Sequence, residues 1–293
     1  MSKVAIITDT ISQMTKELAD EFNIRLAPMY ITLDGKSCPE NELDLAWFYK
    51  QIPRWKEAGK MPTTSTVSPG DFLKAYRELS QKAEAVLCIT YSSKFGMVYN
   101  SAIQAKKMAE EELPQATIEV IDSYTVCGGQ MLIVIEAARA AAAGKSLPEV
   151  IEVVNNLMKK VNYVHLSDDL SLLAKGGRIH RARPWASSQI TNTVLLEAGI
   201  STGGEHRPLA RCKTRRQALE KLFETVKQRS GDGKLHVAIN HVDAPTEAEQ
   251  LRELTLSRFP CAEVFITPVY PLVAIHTGLR SFNFSWWGEG EVA

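Results

Sequence analysis

Ala85-Val86-Leu87-Cys88-Ile89-Thr90 is an apolar run with no turn residue in it, and the two segments that follow give it meaning. Ser101 to Leu113 reads as a helix and Thr117 to Ile121 as a second short strand. Strand, helix and strand in that order form a βαβ unit, which calls for parallel strands. Toward the amino end, Val4 to Thr8 reads as another buried strand, followed by an amphipathic helix through Met14, Leu18 and Phe22. Arg25 to Leu33 reads as one extended run ending in the turn Asp34-Gly35, with a helix around Leu43 to Gln51. A further helix starts after Ser68-Pro69, where serine suits the N-cap and proline the first helical position. Toward the carboxyl end, Val126 to Ala143 is a long apolar helix closed by Gly144, and Leu147 to Val161 is another helix. The expected architecture is α/β, a parallel sheet with helices on both faces.

Beyond that point the texture changes. Val194 to Ile200 and Arg207 to Arg211, on either side of Thr202-Gly203-Gly204, read as a hairpin. Ala218 to Lys227 and Ala244 to Arg258 read as helices, and Leu235 to Asn240 and Ala262 to Val269 as strands. The sequence therefore predicts two domains: an α/β/α domain over residues 1–161 and an α+β domain over residues 162–293.

Composition narrows the function classes. The 293 residues carry 34 Lys+Arg against 34 Asp+Glu, so no net charge holds the molecule to a polyanion. No run approaches the roughly 18 apolar residues that span a bilayer, and the opening Met1 to Asp9 meets an acid too early for a signal peptide. A cytoplasmic protein without nucleic-acid or integral membrane partners is expected. Its five cysteines are scattered and odd in number, and its histidines lack metal-ligand spacing, so neither a disulfide framework nor a metal is expected.

Candidate chemistry gathers where strands end, since ligands of open parallel sheets bind beyond the carboxyl ends of the strands. Thr8-Asp9-Thr10, Thr90-Tyr91-Ser92-Ser93, Asp122-Ser123 and the loop Thr63-Thr64-Ser65-Thr66 offer hydroxyls and acids. Each alone is an ordinary N-cap; sharing one edge, the four would anchor a polar ligand group. Asp9 as a phosphoryl-transfer nucleophile lacks a second carboxylate two residues on, and no P-loop or Gly-x-Ser-x-Gly elbow is present. Asp9 and Asp122 are expected instead to hold loop amides. Lys175-Gly176-Gly177-Arg178 reads as a helix C-cap, with further cations at His180, Arg181 and Arg183. Arg211, Lys213, Arg215 and Arg216 form a second basic cluster, and His276 stands in a small-residue turn.

These landmarks together resemble the DegV family of bacterial fatty-acid-binding proteins over nearly the whole chain. The matching segments are Ile7-Thr8-Asp9-Thr10, Leu33-Asp34-Gly35-Lys36, Pro62-Thr63-Thr64-Ser65, Ser92-Ser93-Lys94-Phe95 with Tyr99-Asn100-Ser101-Ala102, Ile121-Asp122-Ser123, Lys175-Gly176-Gly177-Arg178-Ile179 and His276-Thr277-Gly278. The resemblance implies a long-chain fatty acid in an apolar tunnel between and within the two domains. Its carboxylate would be held at a hydroxyl-rich mouth by Thr64, Ser65, Ser92 and Ser93, near Gly96, His276 and Thr277. Arg178, Lys213 and Arg280 would face phosphate or a partner, because some members present the acid to a separate fatty acid kinase that makes an acyl phosphate. No cofactor and no catalytic residue is implied for the binding protein itself.

Four departures from the family pattern stand out. Gly96-Met97-Val98 replaces the usual Ser-Gly-Thr and so removes two hydroxyls; Lys213 replaces an arginine; Leu279-Arg280 replaces Pro-Gly; and residues 193–198 lack the usual Lys-Pro. Two other readings compete: a phosphoryl- or acyl-transfer enzyme using Asp9 and His276, and a binding protein for another amphiphile, favoured by Met97 and Val98.

Overall fold

The computed structural model describes residues 2–179 and 193–290. His180, Arg181 and Arg183 of the first basic cluster lie outside the described residues. A four-stranded parallel sheet is built from β1 (Ser2–Asp9), β2 (Ile24–Ala27), β6 (Ala83–Thr90) and β7 (Thr117–Asp122) in the order β2-β1-β6-β7. Beside it, β3 (Tyr30–Leu33), β4 (Lys36–Pro39) and β5 (Thr63–Ser65) form a small antiparallel sheet. A six-stranded mixed sheet follows, from β8 (Asn162–Ser167), β9 (Thr193–Glu197), β10 (Arg207–Cys212), β11 (Leu235–His241), β12 (Cys261–Pro268) and β13 (Phe282–Gly288), ordered β10-β9-β8-β13-β11-β12. Among the described residues the α-helices are α1 (Lys16–Glu21), α2 (Leu45–Ala58), α3 (Pro69–Ser80), α4 (Val98–Glu112), α5 (Cys127–Ala142), α6 (Leu147–Lys160), α7 (Ser171–Lys175), α8 (Arg215–Arg229), α9 (Pro245–Arg258) and α10 (Pro271–Thr277).

The unbroken apolar runs are explained by burial on both faces of the parallel sheet. Val86 and Cys88 of β6 pack with Phe72 and Tyr76 of α3 and Ala102 and Ala105 of α4. Leu87 and Ile89, one residue out of phase, pack instead with Met131, Leu132 and Ile135 of α5 and Val150 and Val154 of α6. Helix α5 is itself covered on both sides, by the parallel sheet and by the mixed sheet, and 13 of its 16 residues are buried. A helix enclosed in this way has no polar stripe. A Cβ on Gly128 would lie 2.8 Å from Ala238 Cβ and 3.0 Å from Asn240 Oδ1 and Ser285 Oγ, so glycine lets the start of α5 reach the mixed sheet. The Gly128 amide donates to Asn240 Oδ1 at 2.8 Å.

Several sequence expectations are redrawn. The extended run Arg25 to Leu33 is two strands in two different sheets, because Pro28 between them has no N–H for a continuous ladder. The helix expected through Met14 to Phe22 is a 3-10 turn over Thr10–Ser12 and a short helix over Lys16–Glu21, separated at Gln13, whose φ is 60°. The expected hairpin is present as β9 and β10. Strands β8 and β13, the two at the middle of the mixed sheet, are not expected from the sequence. In β13, Phe282, Phe284 and Trp286 enter the core of the second domain, while the alternate residues Asn283 and Ser285 are polar yet buried.

Candidate functional site

A cavity of about 270 Å³ opens beyond the carboxyl ends of the parallel strands, where the two domains meet. The first domain contributes Ile11 after β1, Met29 and Thr64–Thr66 from the small sheet, Tyr91 to Met97 after β6, and Val126 and Cys127 at the start of α5. Within that third segment it is Tyr91, Phe95, Gly96 and Met97 that form the wall. The second domain contributes Tyr163, Leu173, Arg178, His206, Leu272, Val273, His276 and Thr277. Most of this wall is apolar, and the polar groups are few and identifiable.

The acids at the strand ends build the wall without entering it. Asp9 Oδ1 accepts from the Ile11 amide at 3.0 Å; its Oδ2 accepts from the Tyr91 amide at 3.0 Å and Gln130 Nε2 at 3.1 Å. The carboxyl thus ties the end of β1 to the loop after β6, and burial still pushes it up to about 7 against those bonds. Asp122 does the same one strand over, accepting from the Ser93 amide at 3.1 Å and the Tyr124 amide at 2.8 Å. Buried Glu40, also pushed up to about 7 by desolvation, accepts from Thr10 Oγ1 at 2.5 Å and the Leu272 amide at 2.7 Å. It fastens α10 of the second domain to the first. Tyr49 and Gln13 add to that clasp, the tyrosine hydroxyl donating to the Val269 carbonyl at 2.5 Å and Gln13 Oε1 accepting from the Tyr270 amide at 2.6 Å.

The glycine motifs position two basic side chains in the wall. In Lys175-Gly176-Gly177-Arg178 the helix-cap geometry belongs to Gly177, whose φ is +71°. Gly176 acts through its missing side chain. A Cβ there would lie 2.8 Å from His276 Nδ1, so its absence lets α7 and α10 pack with His276 between them. His276 Nε2 is buried with no partner among the described residues. Its pKa is lowered to about 4, first by burial and then by the charge of Arg178, so the ring is neutral. Among the described residues no carboxylate pairs with Arg178, whose guanidinium donates to the Gly176 carbonyl.

Of the residues singled out from sequence, Thr64, Ser65, Gly96, Arg178, His276 and Thr277 surround this one cavity. Ser92 and Ser93 stand behind it. The Ser92 hydroxyl donates to the Gly204 carbonyl at 2.8 Å and so holds the two domains together. Lys213 lines a separate groove with Arg211 and Arg216, and Arg280 pairs with Glu247 at 3.0 Å. The Thr277 hydroxyl is spent on the Val273 carbonyl at 2.9 Å.

Three more polar residues complete the wall: Thr66 and Tyr91, which fall within the hydroxyl-bearing segments marked from sequence, and His206, which does not. Thr66 repeats the outlook of Thr64 two residues on, and its hydroxyl is buried without a partner among the described residues. His206 carries no motif. Tyr91 is explained by Gly96: a Cβ on residue 96 would fall 1.9 Å from the Tyr91 hydroxyl oxygen. The tyrosine oxygen therefore occupies the space that a side chain at residue 96 would need. No protein partner for that hydroxyl is found among the described residues, and burial pushes its pKa up, so it is a donor.

One group among the described residues could ligate a metal, Glu136, His236 and Glu263 farther along α5 and the mixed sheet. Arg139 already makes two bonds to Glu263, at 2.6 and 2.8 Å, and supplies the positive charge there. No helix among the described residues is long and apolar enough to cross a membrane.

Comparison with known proteins places this architecture. A DegV domain-containing protein of Streptococcus pyogenes serotype M1 is 28% identical over 276 residues, covering 93% of this chain and 94% of that one. One from Caldanaerobacter subterraneus is 30% identical over 268 residues, covering 88% and 91%. Among solved structures, a DegV lipid-binding protein of Thermotoga maritima superposes with a TM-score of 0.84 at 25% identity, covering 97% of this chain and 98% of that one. A DegV family protein of Thermus thermophilus described as binding fatty acid shares the fold with a TM-score of 0.87 at 23% identity, covering 97% and 99%. The model of the DegV family, whose members it describes as uncharacterised, matches residues 3–289, and the chain belongs to that family.

Proposed function

We propose that this protein binds one long-chain fatty acid in the cavity between its domains, residues 1–161 and 162–293, as a carrier and not a catalyst. The observation that carries the reading is an arginine, Arg178, that has no carboxylate partner among the described residues and stands in a mostly apolar wall. A buried carboxylate costs several kcal/mol unless charge and hydrogen bonds compensate it. Arg178 offers the charge, and His276 Nε2, Tyr91 Oη and the Thr64 and Thr66 hydroxyls offer hydrogen bonds in the same wall. The tail then lies against Ile11, Met29, Phe95, Val126, Leu173 and Val273, with each buried methylene contributing about 0.8 kcal/mol. Solved relatives described as lipid- or fatty-acid-binding support the reading.

On this reading the protein works in the cytoplasm and presents the head group to a separate kinase. Arg178 beside the carboxylate also stabilises the charge that grows there during phosphoryl transfer. The transfer-enzyme alternative is disfavoured by Asp9, whose oxygens are occupied by amide donors outside the cavity wall. The test is solvent extraction of the purified protein followed by mass spectrometry, together with displacement of a fluorescent fatty acid. A stoichiometric co-purified fatty acid is expected; an apo protein that no fatty acid enters would refute the proposal.

A further inference from the structure

His206 is a wall residue whose chemistry a plain fatty acid leaves unused. It sits in the cavity wall at 6% exposure, with the Phe95 ring 4.6 Å away on centroids and the Tyr163 ring stacked at 6.0 Å. Its Nδ1 lies 3.1 Å from the carbonyl oxygen of Arg178. A carbonyl only accepts, so Nδ1 carries the ring proton. Burial, reinforced by neighbouring His165, lowers the pKa to about 3, so the ring holds no second proton near neutrality. Nε2 is therefore a bare lone pair. It is buried and has no donor among the described residues. Buried polar atoms are rarely left in this state, and the cost falls on whichever ligand fills the cavity without satisfying them. A carboxylate cannot donate, and a methylene chain offers nothing.

Resting on the fatty-acid reading above, we propose that the preferred ligand is a hydroxylated long-chain fatty acid whose chain hydroxyl donates to His206 Nε2. The hydroxyl replaces a hydrogen bond that unmodified acids leave unmade, and so selects among acids that share head group and length.

The test uses the delipidated full chain near pH 7.5 and compares stearate with a series of positional hydroxystearates by displacement of a fluorescent fatty acid. At least one isomer is expected to bind about ten-fold tighter than stearate, the order of one buried hydrogen bond. The O-methyl ether of that isomer, which can accept but not donate, should fall to the affinity of stearate or below. In His206→Phe the ratio of the two affinities should drop to about one. Nitrogen NMR of the unmutated protein gives an answer independent of that variant's folding: the His206 Nε2 signal should move toward the hydrogen-bonded range with the hydroxy acid and not with stearate. The proposal is overturned if stearate binds and no isomer exceeds it, which would leave a water on Nε2. It is likewise overturned if the ether keeps the gain, or if the preference survives in His206→Phe. If neither stearate nor any hydroxystearate binds, the fatty-acid reading itself fails, and this inference with it.

Discussion

Changing Tyr91 to phenylalanine removes a single oxygen from the cavity wall and leaves the ring in its packing. Among the described residues that oxygen has no protein partner, so its loss leaves no buried donor or acceptor behind, and stability should stay within about 1 kcal/mol of the original. Ligand affinity should respond very differently. A hydrogen bond to a charged group contributes about 1.5–3 kcal/mol, and 1.4 kcal/mol is a factor of ten in affinity. Tyr91→Phe should therefore weaken fatty-acid binding by roughly ten- to a hundred-fold. Gly96→Ser alone should not fit, because its Cβ falls 1.9 Å from the tyrosine oxygen and 3.1 Å from Cζ. With the oxygen removed only the second, milder contact remains. The double variant Tyr91→Phe with Gly96→Ser should therefore recover much of the lost affinity through the serine hydroxyl. Displacement of a fluorescent fatty acid, with urea unfolding as the control for fold, measures both effects. Binding by Tyr91→Phe within about three-fold of the original, with unchanged stability, would refute the argument that this hydroxyl binds the carboxylate.

Three further outcomes are expected. Arg178→Met should abolish the preference for a free acid over its methyl ester, which displacement by matched acid and ester pairs will show; an intact preference would place the carboxylate elsewhere. Gly128→Ala should destabilise the fold by about 1–3 kcal/mol, because the added methyl meets Ala238, Asn240 and Ser285 where α5 joins the mixed sheet, and a urea midpoint equal to the original would contradict that packing. Glu40 has a folded pKa raised to about 7 from 4.5, so its favourable contribution is present in acid and lost as pH rises toward 7. Glu40→Gln should accordingly compare worst with the original protein near pH 4 and improve by about 1.4 kcal/mol per pH unit between about 5 and 7; a pH-independent difference in unfolding free energy would mean that Glu40 is ionised throughout.

The parallel-sheet part of the first domain is largely legible in the sequence because its central strands are buried on both faces and helices α1, α2 and α3 begin at capping side chains. Ser68 caps α3 with a full capping box, and Ala85 to Thr90 could be little else than a central strand. The second domain is less so. Its central strand β13 alternates aromatic residues with Asn283 and Ser285, and the polar partners those residues meet come from distant parts of the chain: Tyr163, for example, bonds Asn283 at 2.8 Å. The site divides in the same way. Thr64, Ser65, Arg178 and His276 belong to short motifs and can be named from sequence. Thr66 and Tyr91 fall in segments that the sequence marks as hydroxyl-bearing and His206 in none, but what sets all three apart is a missing partner or a neighbouring glycine, and both are properties of packing. Ser92 shows the converse: its hydroxyl looks available in sequence but is spent on Gly204 across the domain junction.

A crystal structure of the protein saturated with stearate tests the central claim most directly. The account predicts one acyl chain in the cavity, with its carboxylate within hydrogen-bonding distance of the Arg178 guanidinium and the Tyr91 hydroxyl. A carboxylate lying against neither residue, or a chain bound outside this cavity, would contradict it.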